Sequence, residues 1–329
     1  MEYLFFTVDA LLRDFINPQK RVFIGYLFIA LMIAVSVYGY RYRGKFRFKY
    51  LILGLLSRKV WLSESSRADF KLLLCNRLVF GGIFTSFLSK SAVGLSIYFW
   101  VLESYGLPSG LLAQLDPFVQ SIIFTACLFI IDDYSRYWVH RWLHQYPILW
   151  EFHKVHHSAT FLTPFTVFRT HPLEAVCFSL RGILVQGSIL GVGFALFGTG
   201  LSLATILGAN ALSVIFHSVG SNLRHSHVAF RYPKWLEYWL ISPVQHQIHH
   251  STEENHFDKN FGVAFACWDR IHGTLYLSDN TRLTFGLSAG EGALPHKLVA
   301  LMVLPAKRSL RRLWSATHSV LLRAQSLVN

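Results

Sequence analysis

The stretch LFIIDDYSRYWVHRWLH, Leu128–His144, passes from an apolar segment into a pair of histidines without a glycine or a proline. Its apolar part belongs to Leu115–Ile131, which is nearly long enough to cross a bilayer, and Asp132–His144 predicts a continuation of the same helix beyond the membrane. Residues three or four apart share one face of a helix, so His140 and His144 point in the same direction. The stretch therefore predicts a membrane helix whose far end presents two imidazoles.

The composition of the chain is that of a membrane protein. Of its 329 residues, 53% are hydrophobic and only 15% are charged, whereas a soluble domain carries about 25% charged residues. The formal net charge of +13 is spread over segments between apolar stretches and forms no nucleic-acid-binding motif, so we predict no nucleic-acid partner. The four cysteines are scattered without a CxxC pair, which favours buried thiols over disulfides.

Five apolar stretches have about the length of a membrane span. They are Val22–Tyr40, Leu78–Tyr105, Leu115–Ile131, Val176–Phe197 and Leu201–Val219. Basic residues follow the first stretch directly, and the positive-inside rule places them in the cytoplasm. Counting spans from there brings the histidines to the same side. We therefore expect a multi-pass protein of the bacterial inner membrane or the endoplasmic reticulum, with its site facing the cytoplasm.

Two further histidine clusters share the spacing HxxHH, and they are His153-Lys-Val-His156-His157 and His246-Gln-Ile-His249-His250. Packing gives little reason for three histidines in five residues, and a second copy argues against coincidence. Neutral imidazole is the commonest side chain to bind a metal, and eight imidazoles exceed what one ion needs. The clusters predict two metal ions. Imidazole suits zinc, copper, iron and nickel, so ligand type alone leaves the metal open.

The three clusters, in this order and spacing, resemble those of the fatty acid hydroxylase/sterol desaturase superfamily of integral membrane di-iron oxygenases. The resemblance runs from Phe118 to Tyr276. It departs from the family at His272, where an aromatic residue is usual. Four further segments match the family pattern: Asp133-Tyr-Ser-Arg-Tyr-Trp-Val-His140, His171-Pro-Leu-Glu174, Lys259-Asn-Phe-Gly262 and Trp268-Asp-Arg-Ile-His-Gly-Thr274.

The resemblance implies the fold and the reaction together. We expect an all-α, polytopic helical membrane protein with a cytoplasmic helical cap that carries the di-metal site. Residues 1–115 would form an N-terminal membrane region, residues 116–278 the catalytic domain and residues 279–329 a basic tail. Two iron ions would use O₂ and two electrons from a separate protein (a ferredoxin, a b-type cytochrome or a reductase) to hydroxylate or desaturate a lipid such as a sterol or a fatty acyl chain.

The resemblance also implies the site residues. The expected ligands are the eight cluster histidines, together with three histidines that precede the third cluster: His140, His144, His153, His156, His157, His246, His249 and His250, and then His217, His225 and His227. Asp133 lies seven residues before His140 on the same helix face, and we predict it as the hydrogen-bond partner of that imidazole. Asn260 is predicted as a polar anchor beside the metals. Asp132 can instead pair with Arg136, four residues on.

Two other functions remain open from the sequence. One is cleavage of an alkyl-ether lipid by hydroxylation of the carbon next to the ether oxygen. The other is a transition-metal transporter or sensor whose histidines bind zinc or copper transiently. Transporters place such ligands near the midplane of the bilayer, whereas the clusters here fall outside the predicted spans.

Overall fold

The computed structural model describes residues 9, 12–42, 48–83, 89–106, 110–198, 200–206 and 209–328. Within these ranges the regular secondary structure is helical, apart from one antiparallel pair of two-residue strands, β1 Thr205–Ile206 and β2 Ala209–Asn210. The prediction of an all-α fold is confirmed. The described α-helices are α1 Ile24–Arg41, α2 Phe48–Leu55, α3 Arg58–Trp61, α4 Glu64–Ile83, α5 Lys90–Tyr105, α6 Pro117–Gln145, α7 Pro147–His157, α8 Pro172–Phe197, α9 Ala211–Ser218, α10 Lys234–Glu237, α11 Pro243–His249, α12 Cys267–Ile271 and α13 Leu298–Val328.

Helix α6 confirms the prediction of one unbroken helix from the apolar segment to the first histidine pair. It has 29 residues, which is about 44 Å of α-helix. The Asp116 carboxylate begins it by accepting hydrogen bonds from the backbone N–H groups of Phe118 and Val119, and Pro117 occupies the first helical position. Its far end carries His140 and His144.

Among the described residues, three helices are long and apolar enough to cross a membrane, namely α1, α6 and α8. They correspond to three of the five predicted spans. The other two stretches are not single continuous helices in the described part of the chain, and that they cross a membrane stays a prediction. The stretch Leu78–Tyr105 contributes α5, which has 16 residues or about 24 Å of helix, less than the hydrocarbon core of about 30 Å. Gly106, in the left-handed conformation at φ 57°, ends that helix.

The stretch Leu201–Val219 is apolar but is not one helix. It contains β1, β2 and then α9, which has only eight residues. The Asn210 side chain starts this short helix, because its Oδ1 accepts hydrogen bonds from the N–H groups of Leu212 and Ser213. A residue that caps the start of a helix in the middle of an apolar stretch divides that stretch into separate elements. A prediction from hydropathy alone does not detect this division.

Helices α5 and α8 pack closely because glycines line their contact. A Cβ on Gly191 would collide with the carbonyl oxygen of Gly94, and a Cβ on Gly187 would come within 2.9 Å of the Lys90 carbonyl oxygen. Small residues of this kind let helix backbones approach each other in membranes. The pair, together with α6, forms the membrane-facing bundle from which the histidine-bearing helices extend.

Helix α7 is held in place by two elements distant in sequence. The buried Glu151 carboxylate accepts a hydrogen bond from Arg312 Nε of α13 at 2.9 Å and forms an ion pair with Lys154 at 2.6 Å. On another side, the buried Arg169 guanidinium donates to the Val155 carbonyl oxygen at 2.8 Å and to Asp69 of α4 at 3.0 Å. Part of the predicted basic tail therefore packs against the histidine region, and the division into domains stays a prediction.

Candidate metal centre

Nine buried or half-buried imidazoles converge in two groups, and within each group the candidate ligand atoms lie within 4.8 Å of one another. Helices α6, α7 and α11 supply seven of them, His250 follows directly after α11, and the loop before α10 supplies His225. The five-histidine group is His140, His144, His153, His157 and His249, and the four-histidine group is His156, His225, His246 and His250.

The four-histidine group has the geometry of a metal site. His225 Nε2 lies 3.1 Å from His156 Nε2, 3.2 Å from His250 Nε2 and 3.0 Å from His246 Nε2. A neutral imidazole has only one N–H, so four nitrogens gathered this closely cannot all be satisfied by one another. Nitrogens about 2.0–2.1 Å from a tetrahedral metal ion lie about 3.3–3.4 Å apart. The donor set therefore fits one metal ion.

In the five-histidine group, Nδ1 atoms on the outer side form hydrogen bonds, whereas Nε2 atoms on the inner side have no hydrogen-bond partner. His140 Nδ1 donates to the Phe261 carbonyl oxygen and His249 Nδ1 to the Lys259 carbonyl oxygen, each at 2.8 Å. His153 Nδ1 lies 2.9 Å from Glu174 Oε1. Donation from Nδ1 leaves the lone pair on Nε2 for a metal. Four buried Nε2 atoms have no hydrogen-bond partner: those of His144, His153, His157 and His249.

Each HxxHH motif contributes to both groups. In the first motif His156 enters the four-histidine group and its neighbour His157 enters the five-histidine group. In the second motif His249 enters the five-histidine group and its neighbour His250 enters the four-histidine group. Consecutive residues of an α-helix point about 100° apart, which explains the divergence. The rings of His157 and His250 stack at 4.5 Å where the two groups meet.

Burial keeps these imidazoles in the form that binds metal. Loss of solvent lowers the pKa of His156 to about 3, and it holds the pKa values of His157, His225, His246 and His250 well below the ordinary value. Neighbouring imidazoles lower the pKa of these five groups further. At neutral pH the rings are therefore uncharged, which is the state that a metal ion requires.

Comparison with known proteins agrees with this geometry. A family model described as fatty acid hydroxylase matches residues 125–274, which include all nine histidines. Residues 125–274 therefore match the fatty acid hydroxylase/sterol desaturase superfamily. No solved structure matches it significantly.

Three relatives show the range of this superfamily. A Dictyostelium discoideum protein with the provisional name methylsterol monooxygenase is 31% identical over 48% of this chain and 53% of its own length. Human alkylglycerol monooxygenase is 28% identical over 49% of this chain and 32% of its own length. A Delta(7)-sterol 5(6)-desaturase of Aspergillus fumigatus is 29% identical over 52% of this chain and 43% of its own length. The match thus covers about half of each of these relatives or less.

The structure corrects the predicted role of Asp133. Its carboxylate accepts hydrogen bonds from the N–H groups of Ala264 and Phe265 at 2.8 and 3.1 Å and from Trp268 Nε1 at 3.0 Å. The predicted hydrogen bond to His140 was wrong, since that imidazole donates to a carbonyl oxygen. Seven residues of helix separate the two side chains by about 10 Å along the axis, which is too far for a hydrogen bond.

Asn260 anchors the loop that contacts the site. Its Nδ2 donates to the carbonyl oxygens of Gln245 and Tyr276, both at 3.0 Å, and its Oδ1 accepts from the Tyr276 N–H. Its backbone adopts φ 58°, a left-handed conformation that asparagine tolerates. Asn260 and Asp133 therefore fix the two ends of the 259–265 loop. The carbonyl groups of Lys259 and Phe261 in this loop accept the hydrogen bonds from His249 and His140.

Two carboxylates near the site were not singled out from the sequence. Glu174 lies beside His153, as described above. Asp269 accepts hydrogen bonds from the N–H groups of Phe261 and Gly262 at 2.8 and 2.7 Å. Both residues belong to segments that match the superfamily, but neither lies at a helical spacing from a histidine cluster, so only the folded chain reveals their contacts.

Of the three additional histidines, the structure brings only His225 into a group. His217 Nδ1 lies 2.9 Å from Ser221 Oγ, and its ring packs on Tyr26 at 5.1 Å. His227 borders a separate cavity that Arg41 also lines. Asp132 forms the expected ion pair with Arg136 at 2.8 Å and a second one with Arg181 at 2.8 Å.

A cavity of about 190 Å³ adjoins the five-histidine group. The imidazoles of His144, His157 and His249 form one wall, and the remaining lining combines apolar with polar side chains. The Asp258 carboxylate in this lining lies 3.5 Å from His144 Nδ1. The cavity gives a small molecule, or the reacting part of a larger one, access to that group.

Proposed function

We propose that this chain is a membrane di-iron oxygenase that hydroxylates or desaturates a lipid, with O₂ and two electrons supplied by a separate donor protein. The observation that carries the proposal is the convergence of nine neutral imidazoles in two adjoining groups. Two such groups fit two metal ions, and no cysteine lies in either group. The superfamily relatives act on sterols or alkylglycerols according to their names, which supports a lipid substrate for this chain.

Within this proposal, the protein binds the two metal ions, orients the imidazole rings and insulates the site from water. Each group would hold one iron ion, and when bound, the two irons supply the oxidising power needed to remove hydrogen from an unactivated C–H bond. The chain's own contribution is to fix ring orientation. Glu174 and the carbonyl groups of Lys259 and Phe261 keep three imidazoles in the tautomer whose Nε2 faces inward.

The reacting part of the proposed substrate would enter the cavity beside the five-histidine group. The cavity beside the five-histidine group is large enough for part of a lipid rather than for a whole one. Trp150, Phe257 and Leu287 give it an apolar surface, while most of the lipid would remain among the membrane helices. Hydroxylation and desaturation both begin with removal of one hydrogen, so the ligand set serves either outcome.

A second candidate is oxidation of an alkyl-ether lipid at the carbon next to the ether oxygen. The similarity to human alkylglycerol monooxygenase supports it, and it needs the same metals and the same O₂ chemistry. A transition-metal transporter is not favoured, because all five histidines of the five-histidine group lie beyond the apolar half of α6 or on short helices outside the long apolar ones.

The experiment is metal analysis of the purified protein combined with O₂ consumption against a panel of sterols, fatty acyl lipids and alkylglycerols. We expect two irons per chain and lipid-dependent O₂ uptake. The substitution His140→Ala should lose both, whereas His318→Ala, at an exposed position of α13, should lose neither. One zinc per chain without lipid-dependent uptake would overturn the proposal.

A further inference from the structure

Aromatic side chains form a continuous row beside the five-histidine group. The Phe261 ring lies 5.6 Å from the His140 ring and 5.0 Å from the His144 ring. On its other side, the Tyr137 ring lies 6.2 Å from Phe261 in an edge-to-face contact. Tyr137 is fully buried and sits one helical turn before His140. It is therefore a phenol within a short distance of the proposed metals.

The row continues from Tyr137 to the surface of the protein. The Trp138 ring lies 5.8 Å from Tyr137, and the Trp142 ring lies 6.1 Å from Trp138. Trp142 is 43% exposed. The side chains of tyrosine and tryptophan are the ones most easily oxidised by one electron among aromatic residues. Tyr137, Trp138 and Trp142 therefore form a path of oxidisable rings to the protein surface, which begins one ring, Phe261, away from the five-histidine group.

The Tyr137 hydroxyl has a ready acceptor for its proton. Its oxygen lies 3.1 Å from Thr274 Oγ1, and Thr274 in turn donates to Asp269 Oδ1 at 2.6 Å. Because Thr274 gives its own hydrogen to the carboxylate, its oxygen is left to accept the phenolic one. Burial raises the pKa of Asp269 to about 7, so this carboxylate can take up a proton near neutral pH.

We propose that Tyr137 is a redox relay that carries oxidising equivalents away from the metals when no lipid is positioned to receive them. The inference rests on the proposed function. One electron would leave the Tyr137 ring for the oxidised irons that the two histidine groups would hold, and these would be reduced by one electron. The phenolic proton moves to Thr274 as the Thr274 proton moves to Asp269, and a neutral tyrosyl radical remains.

Tyr137 returns to its reduced state with an electron that comes from the external electron-donor protein. An electron from Trp138, replaced in turn by one from the external electron-donor protein, restores the phenolate, and Asp269 returns the proton through Thr274. The net result is transfer of one electron from the donor protein to the metals, with no proton lost. Proton movement along existing hydrogen bonds matters here, because a positively charged phenol radical would be costly in a buried site.

The test uses iron-loaded full-length protein in detergent, reduced without oxygen and then mixed with O₂ in the absence of lipid. Freeze-quench electron paramagnetic resonance detects any radical, and protein made with ring-deuterated tyrosine assigns it. We compare Tyr137→Phe with Tyr146→Phe, a matched loss of a hydroxyl at the exposed end of α6. Iron content and peptide mapping of oxidised histidines are measured in the same samples.

The proposal predicts a radical whose spectrum narrows with deuterated tyrosine, which Tyr137→Phe abolishes and Tyr146→Phe retains. Histidine oxidation should rise several-fold in Tyr137→Phe at unchanged iron content, and Thr274→Val should slow formation of the radical. Consumption of O₂ with no tyrosyl radical, or with a radical that persists in Tyr137→Phe, would overturn the relay alone. Absence of O₂ consumption without lipid would overturn the relay alone, and absence of O₂ consumption in the presence of the lipid panel as well would overturn the relay and the proposed function together.

Discussion

His153 Nδ1 lies 2.9 Å from Glu174 Oε1, and both side chains are almost fully buried although the residues belong to different helices. Glu174 is in the first turn of α8, whose start is capped by the imidazole of His171. His171 therefore positions α8, the helix that carries Glu174. The Glu174 carboxylate in turn orients His153, a member of the five-histidine group. This arrangement leads to the first of four predictions.

Replacement of Glu174 by glutamine should weaken iron binding without unfolding the protein. An amide is as large as a carboxylate but is a poorer acceptor for the His153 N–H, and loss of such a partner costs about 10–100-fold in metal affinity. Competition with a chelator measures the change. Glu103→Gln, on the exposed side of α5, is the control. Equal iron retention in the two variants would contradict the role given to Glu174.

The metal-free protein should lose stability as the pH falls below about 6.5. The buried histidines have pKa values below the ordinary one in the folded state, so below pH 6.5 the unfolded chain binds more protons and unfolding is favoured. Asp269, whose pKa is raised to about 7, has the opposite effect, with stability lost as the pH rises from about 4 to 7. Burial also raises the pKa values of Asp69 and Asp258, which act in the same sense as Asp269. These carboxylates are outnumbered by the buried imidazoles.

Urea unfolding of the iron-free protein at pH values between 7 and 5 measures this dependence. The midpoint should decrease continuously with acidification, and bound iron should reduce the decrease near neutral pH because the ligands can then not be protonated. A midpoint that is constant over this range would contradict the burial of neutral imidazoles.

The substitution Asp69→Ala should destabilise the protein by about 3–5 kcal/mol, because it leaves the buried guanidinium of Arg169 without its carboxylate partner. Both side chains are fully buried and lie 3.0 Å apart. Arg67→Ala removes an exposed charge from the same helix and serves as the control. Chemical unfolding in detergent measures both variants. Similar free energies of unfolding would show that Arg169 finds other partners.

The substitution Gly191→Ala should lower the thermal stability of the membrane bundle, since the added Cβ would collide with the backbone of α5. Gly182→Ala, in the same helix, places its Cβ where no atom lies within 4 Å. The control should be neutral or gain about 0.5–1 kcal/mol from the lower flexibility of alanine. Melting curves of the two variants that coincide would argue against close packing of α5 and α8.

The sequence predicted those features that depend on local spacing. His140 and His144 lie one turn apart, and the HxxHH motifs place three imidazoles within five residues, so convergence could be inferred before the fold was known. His225 and His227 could not be separated in this way. They lie two residues apart in a loop, where side-chain direction follows from tertiary contacts rather than from a helical period.

Hydropathy predicted the long helices but not their interruptions. Asn210 and Ser89 begin helices inside predicted apolar stretches by capping them with a side-chain oxygen, and each effect involves a single residue in an otherwise apolar window. The partners of the imidazoles were equally hidden, because Glu174 lies 21 residues from His153 and Phe261 lies 121 residues from His140. Such contacts exist only after the chain has folded.

The alternation of the HxxHH histidines between the two groups has a consequence for how the site can change. The separation of the two histidine groups is set by the angle between neighbouring residues at a helix end rather than by a loop that could lengthen or shorten. His156 cannot move relative to His157, nor His249 relative to the capping residue His250, without unwinding the helix end that positions both. Altered reactivity in this scaffold would therefore arise around two inflexible ligand groups, through the walls of the cavity and the loop that holds the outer nitrogens.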